Sequence, residues 1–278
     1  MALPPISLYQ RDLKKEYSVQ TVNAVSLYFN FATHISTPHQ VLIKLKEKAV
    51  RAFDNVIEKL NMEYRKYCEL SNIPYKRLPW KTKVLTFQEL YNEVKTEMGE
   101  KIDEITKQLA TKLLEDDVDD REFSLKIVRE VHKYYSDKDP IIVIYFAPPY
   151  YPHIYVRGND EREQKLLAAV NRAVEETKRA FDYDIKIKKF YPYISDLSYC
   201  SITDEQSMLS SLIGNMPAWP QKYSLPLKAI QKISMPVVNI GPYGKDAHKL
   251  TERLSVSYSL DAMPAILEKT IENLACSR

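Results

Sequence analysis

The chain has 278 residues, with forty basic against thirty-seven acidic side chains, a net charge of +3, and 45% hydrophobic and 28% charged residues. This is ordinary globular composition for one large or two medium domains, and the near balance of charge argues against a nucleic-acid or membrane-surface partner. Cys68, Cys200 and Cys276 are too few and too widely spaced for a metal-type pair or a disulfide framework, which points to a reducing, cytoplasmic setting, and no apolar run reaches the roughly 18 residues that span a bilayer.

The first residues, MALPPISLYQRD, carry neither the basic nor the apolar region of a signal peptide, and strand-like residues follow almost at once, as in a chain that starts inside a domain. Residues 6–9 and 17–31 are rich in Val, Tyr, Leu and Phe and predict strands. Thr37-Pro38 then predicts a helix start, Thr as N-cap and Pro at the first helical position. Val41, Leu42, Leu45, Ala49, Phe53, Ile57 and Leu60 continue at helical spacing towards residue 70. A short strand is expected over 82–87, one helix over 87–114 and another over 121–135. The apolar run at 140–146 has the texture of a buried central strand.

Near residue 157 the pattern changes. Asn159-Asp160 opens a helix running to about Phe181, and residues 184–190 alternate as a strand does. Thr203-x-x-Gln206 reads as a capping box, and Gly214 as a C-terminal stop. Residues 235–240 predict a short apolar strand, 254–258 an extended stretch and 261–275 a last helix that tolerates Pro264 in its first turn. The expected fold is mixed α/β (α+β), with domains over 1–155 and 156–278 and no internal repeat.

Ligands of α/β sheets sit beyond the carboxyl ends of strands, and two segments fit that position. One is Tyr191-Pro-Tyr-Ile-Ser195-Asp196-Leu-Ser198-Tyr199. The other is Asn239-Ile-Gly241-Pro-Tyr-Gly244-Lys-Asp246-Ala-His248-Lys-Leu-Thr-Glu252-Arg253, which holds two of the five glycines and one of the five histidines. The glycines would allow a positive φ and close backbone approach. His248 offers a nitrogen for a metal or an oxyanion, with Asp246 or Glu252 to orient it. The alternative is a tight loop with a surface histidine, since zinc wants three or four protein ligands. His34 and His39 flank a helix start and are expected in solvent, His132 lies between apolar helix positions, and His153 sits in an aromatic-proline turn. Glu175-Glu176 lies in mid-helix beside Thr177-Lys178-Arg179, as a solvated charged face does. Lys186, Lys188 and Lys189 lack the aromatic stripe of a single-strand-binding groove.

The loop from Pro236 to Arg253 resembles the C-terminal metal-ligand loop of the M-twenty family of co-catalytic zinc peptidases and aminoacylases, in particular its arginine-utilisation branch. In order along the chain, Leu8-Tyr-Gln-Arg-Asp12, Val19-Gln-Thr21, Ser26-Leu-Tyr-Phe-Asn30, Phe146-Ala-Pro-Pro-Tyr150 with Pro152-His153, and Lys188-Lys-Phe190 with Pro192-Tyr193 add to it. The resemblance implies that residues 1–155 are the later part of an enlarged lid or dimerisation-type domain and 156–278 the returning C-terminal segment of an αβα catalytic domain. It implies His248 as the terminal zinc ligand, Ser195, Asp196 and Ser198 as a substrate-lining turn, Gly241, Gly244, Asp246 and Glu252 as its loop and support, and His153 near the hinge.

The family's His-x-Asp pair and its Glu-Glu pair ahead of the lid have no counterpart here. The chain therefore resembles a C-terminal half, expected to be inactive alone and to bind zinc weakly or not at all. The intact enzyme would use two zinc ions on a small amide or peptide, with a metal-bound water and a glutamate base. Its expected partners are a second copy or the missing N-terminal catalytic segment. The competing reading is a non-catalytic dimerisation or subunit-docking module.

Overall fold

A computed structural model describes residues 5–14, 16, 19–33, 36–152, 154–189, 196–202 and 206–276. The fold is mixed α/β, as expected, and its chain divides into two units. The first holds Pro5–Tyr150 and takes back residues 204–225; the second holds 151–203 and 226–278. Among the described residues the strands form three separate two-stranded sheets.

The first unit opens with β1 (Ile6–Asp12) and β2 (Val25–Asn30), paired antiparallel with an irregularity between Ser7 and Tyr9. Tyr9 stacks on Tyr28 at 5.1 Å, and Arg11 reaches Glu122 at 2.6 Å. The long helix α1 (Pro38–Leu70) starts where Thr37-Pro38 predicts. The Thr37 hydroxyl accepts from the Gln40 amide at 3.3 Å and the Gln40 side chain accepts from the Thr37 amide at 3.2 Å, so two otherwise orphaned donors are satisfied reciprocally. Further along, buried Asn61 donates to the Ile57 carbonyl at 2.9 Å. Its side-chain oxygen accepts from Tyr75 at 3.0 Å and from the Leu78 amide at 2.9 Å, fixing the extended tail that follows the helix.

β3 (Val84–Thr86) pairs in parallel with β4 (Ile142–Ile144). β4 is shorter and less buried than the apolar run suggests: three half-buried residues with β3 as its one partner among the described residues. The helix expected over 87–114 is two helices, α2 (Phe87–Met98) and α3 (Lys101–Glu115). The break is Gly99, at φ +63 and ψ −145, a backbone region that essentially only glycine enters. Apolar periodicity passes through the break, so it gives no warning of it. α4 (Asp120–Lys133) is capped by Asp119, whose carboxylate accepts from the Arg121 and Glu122 amides. Phe87, Leu90, Val94, Ile102, Phe123 and Val131 form the centre of this unit's core.

Residues 204–225 close the first unit. α6 (Gln206–Gly214) ends at the expected glycine, while the expected capping box at Thr203–Gln206 lies outside the residues whose side chains are described. After it, buried Asn215 accepts from the Gln88 amide at 3.0 Å, its carbonyl accepts from the Phe146 amide at 2.7 Å, and Ala218 enters the core. The Tyr223 hydroxyl donates to the Tyr150 carbonyl at 2.8 Å.

The second unit is built on α5 (Glu161–Phe181) and α8 (Met263–Ala275), with the short α7 (Leu227–Ile233) between them in sequence. Asp160 caps α5 through the Glu163 amide at 2.8 Å. One Glu163 carboxylate oxygen in turn accepts the amides of Arg157, Gly158 and Asn159 at 3.0, 2.6 and 3.0 Å, which folds the preceding turn back onto the helix. The helices cross with Leu166, Val170, Ala173, Val174 and Ile266 buried between them, joined by Lys269–Glu176 at 3.0 Å. The stretches expected as strands over 184–190 and 235–240 are not strands over their described residues. Their apolar side chains Ile185, Ile187 and Ile240 nevertheless pack on the helix pair. Of the extended stretch expected over 254–258 only Leu254 is strand; the chain is helical from residue 256.

Candidate functional site

The loop that carries His248 is a small hairpin in the second unit. β5 (Gly244–Lys245) pairs antiparallel with β6 (Arg253–Leu254), and the Ser255 amide donates to the Tyr243 carbonyl at 2.9 Å just beyond the pair. Gly244 is required by proximity. A Cβ there would lie 2.5 Å from the Arg253 carbonyl oxygen, so any side chain would push the strands apart. The expectation that the glycines supply a positive φ is not met: the left-handed residues are Asp246 at +59 and His248 at +63. Asp tolerates that region because a short polar side chain can bond locally. Gly241 faces ordinary contact with the Asn239 side chain.

The side chains of the loop hold its backbone. Asp246 pairs with the Arg253 guanidinium and accepts from the Thr251 hydroxyl at 3.1 Å. The Glu252 carboxylate accepts from the His248 backbone amide at 3.1 Å. Both carboxylates thus shape the turn that projects His248, and the bonds they make here go to groups other than its imidazole. His248 itself is exposed.

Beneath the hairpin lies an aromatic cluster that sequence reading does not single out. Tyr258 meets Tyr183 edge-on at 5.3 Å and Tyr243 at 6.2 Å, and the Tyr183 hydroxyl is 2.8 Å from that of Ser257. Burial pushes the Tyr258 phenol above its ordinary range. Tyr258–Ala262 is a π-helical turn leading into α8, in which the Met263 amide reaches back to the Tyr258 carbonyl. Pro264 is the sequence signal for it: lacking an N–H, it cannot bond the Leu260 carbonyl, and the ladder reorganises just upstream.

The second candidate segment is described only in part. Asp196–Tyr199 is a 3-10 turn with Ser198 buried and Tyr199 packed edge-on to Tyr151 at 6.1 Å. Ser195 and His153 lie outside the described residues, as does the side chain of Asp196. Among the other histidines, His39 lies 3.3 Å from the Ser211 hydroxyl, and His132 is half-buried, its pKa lowered by desolvation. Glu175 and Glu176 pair with Lys178 and Lys269, as a charged helix face does. No group of three or more His, Cys, Asp or Glu side chains converges on a metal-sized site among the described residues. A zinc ion needs three or four protein ligands, and the hairpin offers one exposed imidazole, so the described residues do not by themselves fit a complete zinc centre. No helix is long and apolar enough to cross a membrane among the described residues.

In the first unit an open groove of about 440 Å³ runs between the β1–β2 ribbon and α1, lined by Phe29, Phe31, Leu45, Lys44, Glu47 and Lys48 among others. Two tyrosines of that unit are strongly perturbed. Burial pushes Tyr145 up to about 12, and burial together with its bond to Glu93 raises Tyr135 to about 12. Both phenols stay neutral and act as packed hydrogen-bonding groups.

No protein-family model matches the chain, and no solved structure does. Two curated proteins of Bacillus subtilis (strain 168) are similar to it along nearly its whole length. Protein RocB is 31% identical over 274 residues, 99% of this chain and 48% of RocB. The uncharacterized protein YqjN is 31% identical over 275 residues, 98% of this chain and 48% of YqjN. The chain spans about half the length of each of these relatives.

Proposed function

We propose that this chain is the C-terminal part of a zinc-dependent amidohydrolase or peptidase acting on a small amino-acid derivative or peptide, in arginine utilisation. The observation that carries the reading is the end-to-end similarity to RocB over about half of RocB's length. The hairpin adds to it: Asp246, Glu252, Thr251 and Arg253 spend their side chains on holding a turn whose apex presents an exposed histidine. On this reading His248 is one zinc ligand, and Ser198 with Ser195 and Asp196 lines the substrate side. The remaining ligands and the general base belong to the part of the enzyme that this chain does not match, and no catalytic step is assigned to its own residues.

Zinc titration of the purified chain, with amidase assays on N-acyl amino acids, tests this. Expected are weak zinc binding that His248→Ala weakens further, and no zinc-dependent hydrolysis. Robust hydrolysis by the chain alone would refute its status as a part. Zinc binding that is indifferent to His248→Ala would remove the ligand role. The second reading, a non-catalytic docking module of the same descent, is favoured by the exposed apolar side chains of the β1–β2 ribbon, Ile6, Leu8, Val25 and Leu27. Retained association with a partner without any zinc effect would select it.

A further inference from the structure

The balance of charge over the whole chain conceals a local excess. Residues 38–83, which are α1 and the extended tail after it, hold eleven Lys and Arg against five Asp and Glu, a net +6 in a chain of net +3. Lys46 and Lys83 are engaged with Glu89 and Asp137 beyond this segment. Much of the remaining positive charge lies in one line. Lys44, Lys48, Arg51, Lys59 and Lys66 stand at i, i+4, i+7, i+15 and i+22 of the helix, with Asn55 and Met62 between them, and all are exposed. These spacings return to one face of a helix. At 1.5 Å per residue the row is about 33 Å long.

A second row runs beside it. Val56, Leu60, Tyr67 and Leu70 stand at i, i+4, i+11 and i+14 and are all exposed, Tyr67 at 58% and Leu70 at 89%. Glu63, which falls between them at i+7, pairs with Lys66 at 3.0 Å. On the other side of the basic row the tail runs back along the helix, with Arg77 paired to Glu58 and the Thr82 hydroxyl bonded to Asp54. Acidic charge on that edge is thus met locally, and Glu47 and Glu69 are the other carboxylates of α1. The outer face of α1 is therefore divided lengthwise into a cationic and an apolar row. Packing within the unit uses Val41, Leu42, Ile57 and Cys68 of the same helix, which are buried, and leaves these two rows in solvent.

We propose that the outer face of α1 is a docking surface for an anionic lipid bilayer, on which the helix lies in the headgroup plane with Tyr67 and Leu70 dipped towards the acyl chains. The occupant is argued from charge and shape. Lys and Arg reach headgroup phosphates and carboxylates on long stems while neighbouring apolar side chains enter the interface, as in a helix that lies on a membrane rather than across one. A convex row of single apolar side chains offers a protein partner no pocket for its anchors, and a fluid bilayer needs none. A second copy fits poorly. Antiparallel pairing through the apolar row would set Lys59 and Lys66 against the same cationic row and would enclose Glu63. A nucleic acid would use the cationic row and leave the apolar one idle.

The full chain is co-sedimented with phosphatidylcholine vesicles that do or do not contain phosphatidylserine. Binding is expected to the anionic vesicles, at least about tenfold stronger than to phosphatidylcholine alone, and to weaken as salt is raised. Lys59→Glu/Lys66→Glu should lose that preference. Tyr67→Ser/Leu70→Ser should weaken binding by about tenfold while keeping its salt dependence, and both variants should keep the parent's circular dichroism and melting temperature, since all four side chains are exposed. Leu267→Ser, an exposed apolar position of the second unit, should bind as the parent does. No binding to anionic vesicles, equal binding to both vesicles, or undiminished binding in either double variant overturns the proposal. Binding to RNA or polyglutamate as tight as to the vesicles, and indifferent to Tyr67→Ser/Leu70→Ser, overturns it in favour of a soluble polyanion. Self-association of the free chain that Tyr67→Ser/Leu70→Ser abolishes overturns it in favour of a second copy.

Discussion

A methyl group at Gly244 would sit 2.5 Å from the Arg253 carbonyl oxygen, and backbone cannot swing aside as a flexible side chain can. Gly244→Ala is therefore expected to open the β5–β6 pair and release the turn that presents His248, while leaving the two helical cores intact. Hydrogen exchange should show lost protection confined to residues 244–255, with a melting temperature close to that of the parent; unchanged exchange there would contradict the close-approach role. At Asp103 the governing interaction is hydrogen bonding to the carboxylate. The Lys95 ammonium at 2.7 Å and the Tyr91 hydroxyl hold its carboxyl down from 3.8 to about 2. A carboxyl with a depressed folded pKa contributes stability that is present above its unfolded pKa and lost as pH falls through the folded one. Stability should thus decline as pH drops from 3.8 towards about 2, and Asp103→Asn should remove that part of the decline in urea-unfolding curves. Local chemistry of this kind is partly legible in sequence: His248 and its glycines stand out. That Asp246 and His248 take the left-handed backbone, and Gly244 does not, follows from how the two hairpin strands meet.

At the scale of elements, signals that act within one turn were readable. Thr37 with Gln40 forms the cap that starts α1, and Asp160 the cap that starts α5, because the donor, the acceptor and the helix they complete lie within a few residues. The break at Gly99 was not readable, since Leu90, Val94, Met98, Ile102 and Leu109 keep a helical period across it. Its torsions show what the glycine is for, and they yield a prediction. Gly99→Ala would force a Cβ into a region open essentially to glycine alone, at a cost of about 1–3 kcal/mol. Thermal or urea unfolding should show that loss for the first unit; a neutral or stabilising effect would mean that α2 and α3 can join as one helix. Residues 184–189 and 235–240 are the reverse case. Their strand pattern is present in the side chains, but a strand is completed by its neighbour, and no single segment can encode the neighbour's presence.

At the scale of the whole molecule, α5 and α8 meet across some eighty residues of intervening sequence, and residues 204–225 return to the first unit through Asn215, Ala218 and Tyr223. Neither pairing is written in a local period. Buried polar groups such as Asn215 are specified by partners distant in the chain, and the cost of leaving them unpaired selects the arrangement. The similarity to RocB and YqjN extends the same point beyond the chain, because about half of each relative's length has no match here. By itself the sequence determined the mixed α/β class, the helices of strong apolar period, their caps and the loop that carries His248, all set by interactions within a few residues. Only the tertiary structure decided that Gly99 divides a helix, that residues 204–225 close the first unit, and that the carboxylates beside His248 hold its backbone, because each depends on which groups are brought together from afar and which are left unsatisfied.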